Sequence, residues 1–81
     1  MAAITYYVVI PFDRTEDGEL KPGEPQQAIS ASAASQRATV LAFEHAGVVA
    51  FSRTGAPATG EFEDAVILSQ AGEVDLDALA R

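Results

Sequence analysis

Ile4-Thr5-Tyr6-Tyr7-Val8-Val9-Ile10-Pro11-Phe12 decides the fold, because it is apolar on both sides of an extended chain. Ile4, Tyr6, Val8, Ile10 and Phe12 fall on one face, and Thr5, Tyr7, Val9 and Pro11 on the other. A strand of this kind needs cover on both faces. The chain offers one good helix, from about Ala31 to Ala46, so a single molecule is expected to roof one side of its sheet and leave the other short of cover. Self-association is the expected remedy, with Tyr7 and Val9 at the interface.

The polar run after this strand contains Asp17-Gly18, a dipeptide favoured in tight hairpin turns, so a second strand should follow. Leu20 to Ile29 supplies it. Pro22, Gly23 and Pro25 weaken its pairing and place it at an edge, with Gln26 to Ile29 as its best-formed part. Ser30 then stands where a helix N-cap is wanted, with Ser32 as the alternative one step later. The alanine-rich helix puts Ala31, Ala34, Ala38, Leu41, Ala42 and His45 on one stripe, facing the sheet. Val40 and Phe43 lie off that stripe and join Tyr7 and Val9 as expected interface residues.

Gly47 reads as a left-handed C-cap, and Val48 to Phe51 as a third strand running into Ser52 and Arg53. Thr54 to Gly60 reads as a loop to a fourth strand, Glu61 to Gln70, centred on Ala65 to Leu68. Asp75 to Arg81 is expected to form a helical turn or two, or to fray. A helical crossover makes strands two and three parallel to each other, and strand one fits between them antiparallel to both. The expectation is one α+β domain spanning residues 1–81: a four-stranded antiparallel sheet in the order 2-1-3-4 with one helix packed on one face.

At 81 residues the core is small, and help from a second chain would matter. There is no cysteine, which excludes disulfides, zinc-thiolate sites and thiol nucleophiles and makes the cytoplasm the default location. The start Met1-Ala2-Ala3-Ile4 lacks the basic region of a secretory signal, and the apolar run is far below the roughly 18 residues of a membrane-spanning helix. The net charge of -7, with only five basic residues and no basic run, opposes binding to nucleic acid or to an anionic membrane.

The nearest thing to a chemical motif is Asp13-x-Thr15-x-Asp17-Gly18 followed by Glu24. It resembles a calcium loop of EF-hand type, with oxygen ligands at positions one, three, five and twelve, glycine at six and Leu20 as the aliphatic at eight. Against it, Thr15 replaces a stronger ligand, and Pro22 with Gly23 opposes the exiting helix, so an acidic hairpin turn is the expected reading. His45 is the one histidine and the natural candidate for acid-base chemistry. Its plainer role is to favour the C-terminal end of the helix dipole. Ser30, Ser32 and Ser35 lie in no nucleophile elbow, and Gly55 to Gly60 lacks the lysine of a phosphate loop.

The acidic turn, the Pro22-Gly23-Glu24-Pro25 segment, the alanine-rich helix and the run from His45 to Gly55 resemble small bacterial hypothetical proteins with no assigned activity. A vaguer likeness is to dimeric ferredoxin-like α/β barrels, whose protomers carry two helices where this chain has one. Neither resemblance implies a site residue. The expected function is a non-enzymatic homodimeric accessory or protein-interaction module, without a cofactor. The alternatives are a small enzyme or ligand-binding protein, with a pocket near His45 or under Thr54 to Gly60, and calcium binding through Asp13, Thr15, Asp17 and Glu24.

Overall fold

The computed structural model of the chain describes residues 3–75. Leu76 to Arg81, most of the expected C-terminal turn, lies outside them. The fold is α+β: a curled antiparallel sheet of six strands with one helix. In chain order these are β1 (Ile4–Arg14), β2 (Leu20–Pro22), β3 (Gln26–Ala28), α1 (Ala31–Leu41), β4 (Gly47–Ala56), β5 (Glu61–Phe62) and β6 (Val66–Gly72). β1 and β4 are the spine, paired from Ile4 opposite Gly55 to Phe12 opposite Gly47.

The expected four strands are six because two of them break. Pro22, Gly23 and Pro25 split the second into β2 and β3, which pair with successive parts of β1 on its free side. Gly23 N–H bonds Pro11 C=O at 2.7 Å across the break. Glu63 to Ala65 split the fourth into β5 and β6, both paired to β4. The path through the sheet is therefore β2-β1-β4-β5, with β3 beside β1 and β6 beside β4, in place of a simple 2-1-3-4 order. A register shift opposite Ala50 and Phe51 leaves Leu68 as an extra residue, turned toward the helix layer.

Between β1 and β2 the expected turn forms. Gly18 N–H bonds Thr15 C=O at 2.9 Å, Thr15 N–H bonds Glu19 C=O at 2.8 Å, and Gly18 takes the left-handed φ of 84° that such a loop needs. Ser30 caps α1 as its sequence suggests, with Oγ accepting from Ala33 N–H at 3.1 Å.

The helix stops at Leu41, short of the expected Ala46. Tight turns follow, closed by Phe43 N–H to Val40 C=O and Glu44 N–H to Leu41 C=O. His45 N–H still reaches Leu41 C=O at 3.1 Å, and Ala46 C=O then accepts Glu73 N–H at 3.0 Å, so the chain passes from that last turn into the sheet. Gly47 is accordingly a buried strand residue and not a left-handed cap, since a Cβ there would stand 1.8 Å from the Glu73 carbonyl oxygen.

The faces of β1 are the reverse of the sequence expectation. Val9, fully buried, lies beneath α1 in a cluster with Ala34, Ala38, Val48 and Ala50, and Tyr7 packs against the same cluster. Tyr7 and Val9 are thus shielded by their own chain and do not form the uncovered surface. Side-chain size fits this choice: alanines at 34 and 38 let the helix settle close onto Val9 and Val48. The opposite face carries Ile10, Phe12 and Val49, and curling of the sheet brings Leu20, Phe51, Val8 and Val74 against them. That second face is closed at the Phe12 end without a helix. Among the described residues no helix is long and apolar enough to cross a membrane.

Gly47→Ala is expected to destabilise the fold by about 1–3 kcal/mol, because an added methyl must displace backbone and not a flexible side chain. Gly23, where a Cβ would meet Pro11 at 3.2 Å, should tolerate alanine better. Urea unfolding of the two variants side by side checks the difference.

Candidate functional site

The last two residues of β1 are adjacent in sequence and point to opposite faces of the sheet, as strand geometry requires. Asp13 reaches the helix layer. Its Oδ2 lies 2.7 Å from His45 Nδ1, and its Oδ1 accepts from Ala46 N–H at 3.4 Å. Arg14 reaches the other way, with Nε donating to Glu73 Oε1 at 3.1 Å, a second guanidinium nitrogen to Glu73 Oε2, and the third to the Gly18 carbonyl. One end of the central strand is clasped on both sides, to the α1–β4 connection and to the end of β6.

A carboxylate only accepts, so in neutral His45 the bond to Asp13 places the proton on Nδ1 and leaves Nε2 as the unprotonated nitrogen. The imidazole is mostly shielded, with its side chain 26% exposed. This pair is an oriented base of the kind used for proton transfer. His45 does not sit in the last helical turn as expected; it follows the helix, and its partner is a strand carboxylate 32 positions earlier.

The residues of the alternative calcium reading are not gathered into one cluster. Asp13 is engaged with His45, and Thr15 Oγ1 accepts from Glu19 N–H at 3.2 Å within the turn. Pro22 belongs to a strand in place of an exiting helix, and no group of three or more His, Asp or Glu side chains that would hold a metal ion, Asp17 and Glu24 included, occurs among the described residues.

The opposite end of the sheet is aromatic and open. Phe62, paired with Gly55, lays its ring over that glycine, where a Cβ would come within 2.1 Å of it. Tyr6 lies 6.4 Å from the Phe62 ring, centroid to centroid, and the Arg53 guanidinium sits 5.2 Å from that centroid while Nε bonds Glu63 C=O. Ile4, Phe62, Val66 and Ile67 at this end are 47%, 44%, 58% and 41% exposed. The expected Thr54–Gly60 loop is shorter than its sequence suggests, since β4 continues to Ala56 and a turn closed by Thr59 and Gly60 on Ala56 C=O completes it. Beside it is an open depression of about 310 Å³, bordered by Glu61, Phe62 and Glu63, and far from the chemistry of His45.

On the helix layer, Val40 and Phe43 are exposed as expected. Val40 borders an open groove of about 410 Å³ with Ala33, Gln36, Arg37 and Leu41, and Arg37 Nη1 bonds Gln26 Oε1 at 2.9 Å. No protein-family model, curated protein or solved structure matches this chain.

Glu73 is held below the ordinary carboxylate value of 4.5 chiefly by its hydrogen bond from Arg14, with the guanidinium charge acting the same way. Arg14 is raised in turn by that bond and charge. Because the folded carboxyl is the stronger acid, the unfolded chain binds more protons in the intervening range, and stability there rises with pH. The contribution is whole above the unfolded value and is lost as pH falls through the folded one. Glu73→Gln is expected to flatten that acid limb, read from urea midpoints in a series of acidic buffers.

Proposed function

We propose that this chain is a non-enzymatic interaction module that works as a homodimer, joined at the aromatic, open end of its sheet. The observation that carries this is the exposure together of Ile4, Phe62, Val66 and Ile67 on one small domain. Tyr7 and Val9 give it no support, since α1 covers them; the need for a partner has moved to the far end of the β4 side. The Phe12 end of the second face is closed by the chain itself, which leaves the open end free to share beside the exposed Val40 and Phe43 of the helix layer. The absence of a deep enclosed pocket in the two depressions described fits a contact surface better than a small-molecule site. A cytoplasmic setting and an accessory role complete the reading.

Sedimentation at micromolar concentration is expected to give twice the chain mass, with a melting temperature that falls on dilution. Ile67→Ser should shift the population toward monomer while leaving the folded spectrum intact. A monomer at every concentration reachable would overturn the proposal.

The Asp13–His45 pair supports a second function, proton transfer by Nε2 of an imidazole oriented through Nδ1. Nitrogen-15 NMR of the histidine is expected to show the Nδ1–H tautomer in the neutral form, and Asp13→Asn should redistribute it. A native ring found as the Nε2–H tautomer removes this function.

A further inference from the structure

The two edges of the sheet are built differently. One edge consists of β2 and β3, three residues each, carrying Lys21 and Pro22 and interrupted at Gly23 to Pro25. Short strands, lysine and proline are the devices by which sheets refuse further pairing. The other side ends in β6, Val66-Ile67-Leu68-Ser69-Gln70-Ala71-Gly72, seven residues with no charge and no proline. Among the described residues β6 pairs only with β4, so the backbone groups on its outer side have no strand beside them.

We infer that β6 of one molecule pairs antiparallel with β6 of a second copy, so that two sheets join edge to edge across a two-fold axis. This rests on the homodimer proposed above and places its seam on the β6 edge, which takes in Val66 and Ile67 and leaves Ile4 and Phe62 outside it. A second copy suits the edge for three reasons. In an acidic chain with a net charge of -7, β6 is a stretch in which like charges do not meet when the strand faces itself. Val66 and Ile67, opposite Ser52 and Phe51, project to the two faces of the sheet, so pairing at this edge brings cover to both.

Third, the acidic flanks Asp64 and Glu73, which antiparallel pairing brings near one another at each end of the seam, are eased by Arg14 bonded to Glu73. Because the β2/β3 edge is blocked, such pairing closes at two copies and does not propagate into a fibre.

The test uses the whole chain. Val66→Glu with Gln70→Glu changes two exposed side chains and puts four new carboxylates along the seam, beside Asp64 and Glu73. The double variant is expected to raise the dimer dissociation constant by about 100-fold or more in sedimentation, from like-charge repulsion at a paired edge. Hydrogen exchange on the unaltered protein provides a measurement that does not depend on the variant folding. Amides of Val66–Gly72 should gain protection as concentration rises across the dimer transition, and those of β2 and β3 should not.

If the double variant folds and stays dimeric while Ile4→Ser with Phe62→Ser becomes monomeric, the copies stack face to face; the seam is then wrong and the homodimer stands. A native protein that is monomeric throughout overturns both. Species larger than a dimer, or β6 amides indifferent to concentration, overturn the seam alone.

Discussion

The antiparallel ladder between β1 and β4 is the constraint on which the rest of the molecule depends. It fixes which residues of each strand share a face, and every other element attaches to one of its two free sides or two surfaces. Its ends are set by glycine: Gly47 opposite Phe12 admits the Glu73 backbone, and Gly55 opposite Ile4 admits the Phe62 ring. A side chain at either position would push away the strand that completes the sheet. The register also delivers Asp13 to the α1–β4 connection and Arg14 to the end of β6, so the clasp at that end follows from one alignment.

The two surfaces of this ladder are covered by different means. On one, alanines at 34 and 38 allow α1 to lie close to Val9 and Val48, burying modest side chains efficiently. On the other, larger residues such as Phe12 and Ile10 fill the concavity of a curled sheet, and strand partners with their flanking residues give cover in place of a second helix. The packed cluster on that surface reaches the Phe12 end and stops short of Ile4 and Phe62. Val66 and Ile67 of β6 are exposed as well, and Ile29, Val40 and Phe43 are exposed around the helix.

Much of this was legible in the sequence. Asp17-Gly18 marked the turn, Ser30 the cap, Pro22 and Pro25 an irregular edge, and the crossover placed β1 between its neighbours. What was not legible depends on long-range geometry. The helix end could not be seen, because the local alanine-rich pattern would continue where the chain passes into the sheet at Ala46, bonded to Glu73. A two-faced strand does not say which face a helix will choose; the small side chains of α1 fit the Val9 side, and that fit appears only when both surfaces are set together. The partner of His45 was hidden for the same reason. Asp13 looked like part of a local acidic loop, while the strand register carries it across to the end of the helix. The break at Glu63 to Ala65 has no proline or glycine to announce it.

The same ladder dictates an order of events during synthesis. β1 leaves the ribosome first yet is the middle of the sheet, and Ile4 meets its partner only after Gly55 has been added. At roughly 5–20 residues per second, a nascent chain carries the Ile4 end without its β4 partner for on the order of several seconds. β2 and β3 emerge next and pair with Phe12 to Arg14 and with Tyr7 to Val9, so one side of β1 can be occupied before β4 arrives on the other.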